Sequence, residues 1–297
     1  MFTNKFLRPS PAVSDLVSSY MLAELNLLPA QKNEVISVYP NGVATLGFSY
    51  GNPTIHRTPD GIINQLGRGC FVTGPQERVF HMIPTDNLRQ MVILFKPGVL
   101  SKILRISLAG IRNKIFEVGS LVPEGDYICD RLANAQTHQQ RIEIIERWIL
   151  GRIHPERCSP ELTQCIIQDI HQQAGDVKIQ KICSSYRINE RYLERKFSEL
   201  IGISPKKYAD IIRFNFLIDR MRGSASKGWK DLYDEIGITD YSHLSKQVQK
   251  LADLHPRRLK EKLTDCNSVL YTENMNESFN RINILRTIDE MAVNCLG

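Results

Sequence analysis

Two stretches of this chain carry side chains whose types and spacing suit the reading of a nucleic-acid duplex. The first is INERYLERKFSELIG, which presents Arg191, Tyr192, Glu194 and Arg195. The second is DYSHLSKQVQKLA, which presents Tyr241, Ser242, Ser245, Lys246 and Gln249. An arginine fork pairs with guanine O6 and N7, and a glutamate accepts from cytosine N4. Lysine, serine and tyrosine hydroxyls, and glutamine reach phosphates or base edges. On helices these residues need a buried side to stand on, and the sequence supplies one. Leu193, Phe197, Leu200 and Ile201 fall at i, i+4, i+7 and i+8 opposite the first set. Leu244, Val248 and Leu251 do the same for the second, and Leu193 and Leu244 stand 51 residues apart in matching positions.

Each polar set is preceded by the elements that would position it. Asp176 can cap a helix running to Tyr186, the turn Arg187-Ile188-Asn189 follows, and Asn189 caps a helix over 189–201. The same order recurs downstream. WKDLYDEI (Trp229–Ile236) forms a helix, Gly237-Ile238-Thr239 a turn, and Asp240 caps a helix over 240–252. Two short helices joined by a tight turn, the second with a long polar face, make a helix-turn-helix unit. Between the units Ser204-Pro205 opens SPKKYADIIRFNFLIDRMR, apolar on more than one face. Its 19 residues span roughly 28 Å at about 1.5 Å per residue, near the roughly 34 Å between successive major-groove windows. Two recognition helices a turn of DNA apart are therefore expected.

Charge agrees with this placement. The chain of 297 residues has a net charge of +6, and residues 176–263 alone hold 19 Lys and Arg against 12 Asp and Glu, a net +7. The rest of the chain sums to about −1, so the whole excess lies on the candidate DNA-binding segment.

Other chemistries lack their residues. The seven cysteines (70, 129, 158, 165, 183, 266 and 295) are widely spaced, with no C-x-x-C pair. They read as reduced thiols. His56, His81, His138, His154, His171, His243 and His255 are scattered, so no metal site is expected. Neither a nucleophilic triad nor a phosphate-cradling glycine loop is recognisable, and no catalytic residue or cofactor is assigned. No apolar run is long enough to cross a bilayer, and the N-terminus lacks a secretory core, so a cytoplasmic protein with no membrane partner is expected.

Upstream, residues 34–97 read as β. EVISVYP, VATLGFSY, GIINQL, CFVTG and MVILF are separated by Asn41-Gly42, Gly51-Asn52-Pro53, Pro59-Asp60-Gly61 and Gly74-Pro75. Such spacing predicts a small barrel or sandwich. VLSKILRISLAGIRNKIF after Pro97-Gly98, and Asp130–Ile153, have apolar residues at helical spacing. HPERCSP (154–160) reads as a linker, and the tail 265–297 has one amphipathic stretch at 282–292 with no assigned role.

INERYLERKFSELIGISPKKYADIIRF followed by GITDYSHLSKQVQKLADLHPRRLKE resembles the paired signature of the AraC/XylS family of bacterial regulators. The residues that carry the likeness are Leu193, Arg195, Phe197, Gly202, Ser204-Pro205, Arg213, Gly237, Asp240, Ser242-His243-Leu244 and Pro256. Arg187 and Asp253 stand where the pattern has glycine, His255 where it has serine, Val248 for a large aromatic and Leu259 for a tyrosine. The resemblance covers about a third of the chain. The β-rich segment and the FKPGVLSKIL run are similar to the cupin-like sensor domains of that family.

The resemblance implies an α+β chain. A cupin-like effector or dimerisation domain occupies 1–155, and an all-α DNA-binding domain of two helix-turn-helix units and a linker helix occupies 160–264. It further implies double-stranded DNA, a small-molecule effector, RNA polymerase and a second copy of the chain as partners, and a non-enzymatic, activator-type role. His243 takes a structural role by the same resemblance. An alternative is a metal-free cupin-type enzyme, such as an isomerase, fused to a DNA-binding unit. A third is a regulator whose barrel is only an interaction scaffold.

Overall fold

The computed structural model describes residues 2–26, 35–153, 162–223 and 241–264. The expected linker 154–160, the helix 229–236 with its turn and the Asp240 cap, the His243 side chain and the tail 265–297 lie outside the described residues.

Among its described residues the N-terminal part has ten strands and three α-helices. Strands β1 (Phe2–Leu7), β2 (Val17–Leu25), β4 (Thr45–Ser49), β7 (Gly69–Thr73), β9 (Leu88–Phe95) and β10 (Ile115–Glu117) form a six-stranded sheet in the order β1-β2-β9-β4-β7-β10. Strands β3 (Ile36–Val38), β5 (Thr54–Arg57), β6 (Ile63–Leu66) and β8 (Phe80–Pro84) form a second sheet in the order β3-β8-β5-β6. All pairings are antiparallel.

Alternation along the strands divides the large sheet into two buried faces. Met21, Ala23, Val92 and Leu94 meet Ile36, Val38, Phe80 and Met82 of the smaller sheet. Tyr20, Leu22, Leu46, Phe48, Ile93 and Phe95 point the other way. They pack on helices α1 (Val99–Leu104), α2 (Gly125–Asn134) and α3 (His138–Arg152). The part is thus layered sheet on sheet on helices, with a central sheet dry on both sides.

Every quoted β run becomes a strand, but β1 and β2 precede the region expected to be β. The residues of β2, VSSYMLAEL, are nearly all buried. A strand buried on both faces loses the polar alternation that marks it in a sequence. The stretch expected to be helical up to Phe116 also departs. α1 ends at Leu104 because Arg105 turns left-handed (φ 57°), Asn113 does so again (φ 56°), and Ile115–Glu117 then pair with β7. An L-residue in that conformation cannot propagate a right-handed helix.

The helix expected from Asp130 to Ile153 is divided at Ala135–Thr137. Thr137 and Gln140 close a capping box, and the buried Arg141 donates to Leu132 O (3.2 Å) and Ala135 O (2.7 Å), satisfying the last carbonyls of α2.

The C-terminal part is helical in all its described residues: α4 (Leu162–Gln172), α5 (Ile179–Ser185), α6 (Glu190–Leu200), α7 (Pro205–Gly223), α8 (Tyr241–Ala252) and α9 (Pro256–Thr264). It shares its core with the β part. Tyr39 and Val79 belong to the same cluster as Phe197, Tyr208, Phe214 and Leu251. Tyr39 meets Phe214 edge-on at 5.9 Å, and the Val79 N–H donates to Leu251 O at 2.7 Å.

Gly202 seats the end of α6 against the β part. It has φ +90°, and a Cβ there would lie 2.6 Å from Pro75 Cγ and 2.8 Å from the carbonyl oxygen of Leu108. Gly202→Ala combines left-handed strain of about 1–2 kcal/mol with a backbone clash between the two parts. We expect a destabilisation of about 2–3 kcal/mol and faster proteolytic cleavage within 154–160. Unchanged melting and cleavage would show that the two parts are not seated through this contact.

Candidate nucleic-acid interface

The first helix-turn-helix unit is complete among the described residues. α5 buries Ile179, Ile182 and Cys183. It begins without a side-chain cap, because Asp176 forms an ion pair with Arg213 of α7 instead. The expected Asp176 cap is therefore corrected: its carboxylate ties the unit to the connecting helix. Arg187 occupies the turn at φ 54°, accepting the left-handed conformation that glycine adopts freely. The Arg187 N–H reaches Ser184 O, and the Ile188 N–H reaches Cys183 O at 3.0 Å. Asn189 then caps α6, its side-chain oxygen accepting from the Tyr192 N–H at 2.7 Å.

On α6 the faces separate as their spacing requires. Leu193, Phe197 and Leu200 are buried, while Arg191 and Arg195 are exposed and Glu194 and Tyr192 half-buried. Arg191 and Glu194 make no ion pair among the described residues, whereas Lys196 pairs with Glu199 at 3.7 Å. The bland alternative, in which Glu194 is spent on a lysine or arginine one turn away, is not realised. Burial, and then the nearby Glu190, push the Glu194 carboxyl above its ordinary value. Tyr192 lies under Arg195, its ring 5.6 Å from the guanidinium carbon. It supports that arginine's direction by cation–π contact.

The connecting helix is α7. Ser204 Oγ accepts from the Lys207 N–H at 3.1 Å, as a cap before Pro205 should. Tyr208, Ile211, Ile212, Phe214, Leu217, Ile218 and Met221 are all buried. The helix is dry around most of its circumference because α4, α6, α8, α9 and the β part all pack on it.

α8 repeats the arrangement of α6. Leu244, Val248 and Leu251 are buried; Tyr241, Ser242, Lys246 and Gln249 are exposed, and Ser245 is half-buried. Asp253 follows at φ 55°, its N–H bonded to Gln249 O at 2.9 Å. Like Arg187, it holds a glycine-type conformation without being glycine. Leu259, in place of the pattern's tyrosine, is completely buried.

All nine residues singled out in the sequence thus lie on the outer faces of two helices. Sequence reasoning did not single out Lys178, Lys181 or Arg187 as candidate contacts; they are exposed on the helix and turn leading into α6. Only the local charge excess signalled them. Among the described residues no group of His, Cys, Asp and Glu is arranged to hold a metal.

Residues 5–117 match the family described as a domain of unknown function (DUF6597). No curated protein matches the chain. Among solved structures, the chain is similar to ToxT from Vibrio cholerae O395, with 10% identity over 89% of this chain and 98% of that one, and a TM-score of 0.45. It is similar to unsaturated fatty acid-bound wild-type ToxT from Vibrio cholerae strain SCE256, with 12% identity over 83% and 95%, and a TM-score of 0.45. A third is the AraC-like transcriptional activator CuxR, with 10% identity over 88% and 90%, and a TM-score of 0.25.

Proposed function

We propose that the chain is a sequence-specific DNA-binding transcription regulator of the AraC/XylS type. In this reading residues 160–264 are the DNA-binding domain, and α6 and α8 enter successive major-groove segments. Arg191, Glu194 and Arg195 read bases from α6, and Tyr192 supports them. Tyr241, Ser242, Ser245, Lys246 and Gln249 contact bases or phosphates from α8. Lys178, Lys181 and Arg187 add phosphate contacts that set affinity without sequence information. One observation carries the proposal. Two helices packed on a dry connecting helix each bury an apolar stripe and leave the predicted reading residues on the outer side.

Residues 1–155 are the regulatory domain in the same proposal, offering an effector pocket and a surface for a second copy. Support for a polar effector comes from three buried polar groups between the sheets. Ser49 Oγ, His56 Nδ1 and Gln90 Nε2 are buried there without a hydrogen-bond partner among the described residues. Ser49 and Gln90 are direct cross-strand neighbours on the face turned to the smaller sheet. Buried polar atoms left unpaired are costly, so a ligand that pairs with them binds with that cost removed. A contact with RNA polymerase belongs to the activator form of this reading.

Selection of bound sequences from a random DNA pool, repeated for Arg195→Ala and Lys246→Ala, tests the proposal. A base-reading Arg195 predicts affinity lower by about 1–3 kcal/mol and relaxed preference at one position. A phosphate-only Lys246 predicts uniform weakening and a salt slope smaller by about 1. No enriched sequence, with or without cell extract to supply an effector, would sink the reading.

A further inference from the structure

Two thiols meet beside the β part, away from the helices described above. Cys70 lies on β7 and Cys129 on α2. The ladder between β7 and β10 ends at the pair Phe71–Glu117, so the Cys70 N–H has no strand partner on that side. Cys129 Sγ takes its place, accepting that N–H at 3.1 Å. The Cys70 thiol lies near enough to Cys129 for each to shift the other's ionisation. Both cysteines are free.

The two sulfurs differ in surroundings. Cys70 is buried and Cys129 half-buried, and both line a cleft of about 190 Å³. Arg68, Glu117 and Asp126 also line this cleft, and it has room for several water-sized molecules. The nearby Cys70 thiol first, and the Cys70 backbone N–H after it, favour a negative sulfur on Cys129. Burial and the carboxylates of Asp130 and Asp126 oppose it, and the balance leaves Cys129 at about 7. The nearness of Cys129, then burial, pushes Cys70 far up, so it stays protonated.

We propose that Cys70 and Cys129 form a peroxide-reactive dithiol in which Cys129 attacks and Cys70 resolves. The Cys129 thiolate attacks one oxygen of hydrogen peroxide and the O–O bond breaks. Sulfur is oxidised to a sulfenic acid, and the other oxygen leaves as hydroxide, which is protonated to water. The Cys70 sulfur then attacks Cys129 Sγ, the S–O bond breaks, and the Cys70 proton leaves with that oxygen as a second water. Two thiols and one peroxide thus become one disulfide and two waters. The bond from the Cys70 backbone N–H to Cys129 Sγ holds the two residues side by side, and the disulfide ties α2 to β7. A reducing thiol pool restores the dithiol. The inference does not depend on DNA binding.

The test uses the full chain, reduced, treated with stoichiometric hydrogen peroxide, alkylated and mapped by mass spectrometry. The expected product is a Cys70–Cys129 cross-linked peptide, with the other five cysteines alkylated. Before oxidation, Cys129 should alkylate at neutral pH several-fold faster than the buried Cys183. A pKa near 7 raises the thiolate fraction roughly 15-fold over an ordinary thiol, and lower intrinsic nucleophilicity removes part of that gain. Cys70→Ser should stop the reaction at a sulfenic acid on Cys129, tagged by a dione probe. Cys129→Ser should leave Cys70 reduced. Full alkylation of both thiols after peroxide, or cross-links through other cysteines, would overturn the proposal from the native chain alone, whatever the variants do.

Discussion

Acidification from about pH 7 to about pH 4 should remove on the order of 6 kcal/mol of folding stability through two histidines alone. His56 is buried and His171 half-buried, and burial of the ring lowers each from the ordinary 6.5 to about 4. His56 shares a hydrogen bond with Thr54 Oγ1 through Nε2 (2.8 Å), while Nδ1 has no partner among the described residues. Its ring stacks on Phe80 and meets Phe71 edge-on. His171 Nε2 lies 2.9 Å from the hydroxyl of the fully buried Tyr208.

A second proton on either ring therefore has to enter an apolar environment. Below the unfolded value the denatured chain binds that proton and the native chain does not. Stability is thus full above about pH 6.5 and falls between 6.5 and 4, by about 3 kcal/mol per histidine. Urea unfolding across that range, on the native chain and on His56→Gln and His171→Gln, measures it. Each variant should lose up to about 1.4 kcal/mol per pH unit of slope. Slopes identical to the native chain's in both variants would refute the assignment.

Phe197→Ala should destabilise the protein by about 3–5 kcal/mol, the usual range for emptying a buried aromatic site. Phe197 is completely buried on the inner face of α6 and meets the Tyr208 ring edge-on at 5.8 Å. Leu193, Leu200 and Ile201 surround the same junction of α6 with α7. None of these neighbours can fill the space without moving α6, so on the proposed function DNA affinity should fall with stability. The melting temperature should drop by roughly 6–15 °C, at about 2–3 °C per kcal/mol for a chain of this size. Arg195→Ala is the matching control, because an exposed arginine can be removed with melting nearly unchanged while specificity relaxes. If Phe197→Ala melted like the native chain, α6 would not depend on this packing. The reading face would then lack the rigid base that base readout requires.

The stripes of α6 and α8 were legible because helical periodicity is local. Leu193, Phe197 and Leu200 on one side and Arg191 and Arg195 on the other follow from 3.6 residues per turn and need no distant partner. Asn189 and Ser204 were legible as caps for the same reason, since each bonds a backbone N–H three residues away. Arg187 and Asp253 show where local reading also works in reverse. Both replace a glycine of the resembled pattern, and both take its left-handed conformation, so the backbone demand of the turn outweighed the side chain's preference.

What only the tertiary structure decided concerns groups whose partners lie far away in the chain. β2 was hidden because helices cover one face and the smaller sheet the other, leaving no polar alternation to detect. Ile115–Glu117 became a strand because the β7 edge was open beside it, and Asp176 turned from capping α5 to pairing with Arg213. The meeting of Cys70 with Cys129, and the seating of Gly202 against Leu108, join residues 59 and 94 positions apart. By itself the sequence determined which faces are dry and which are polar, because that depends on spacing alone. Which dry face meets which depends on closing long loops around a shared core, and no local pattern records that choice.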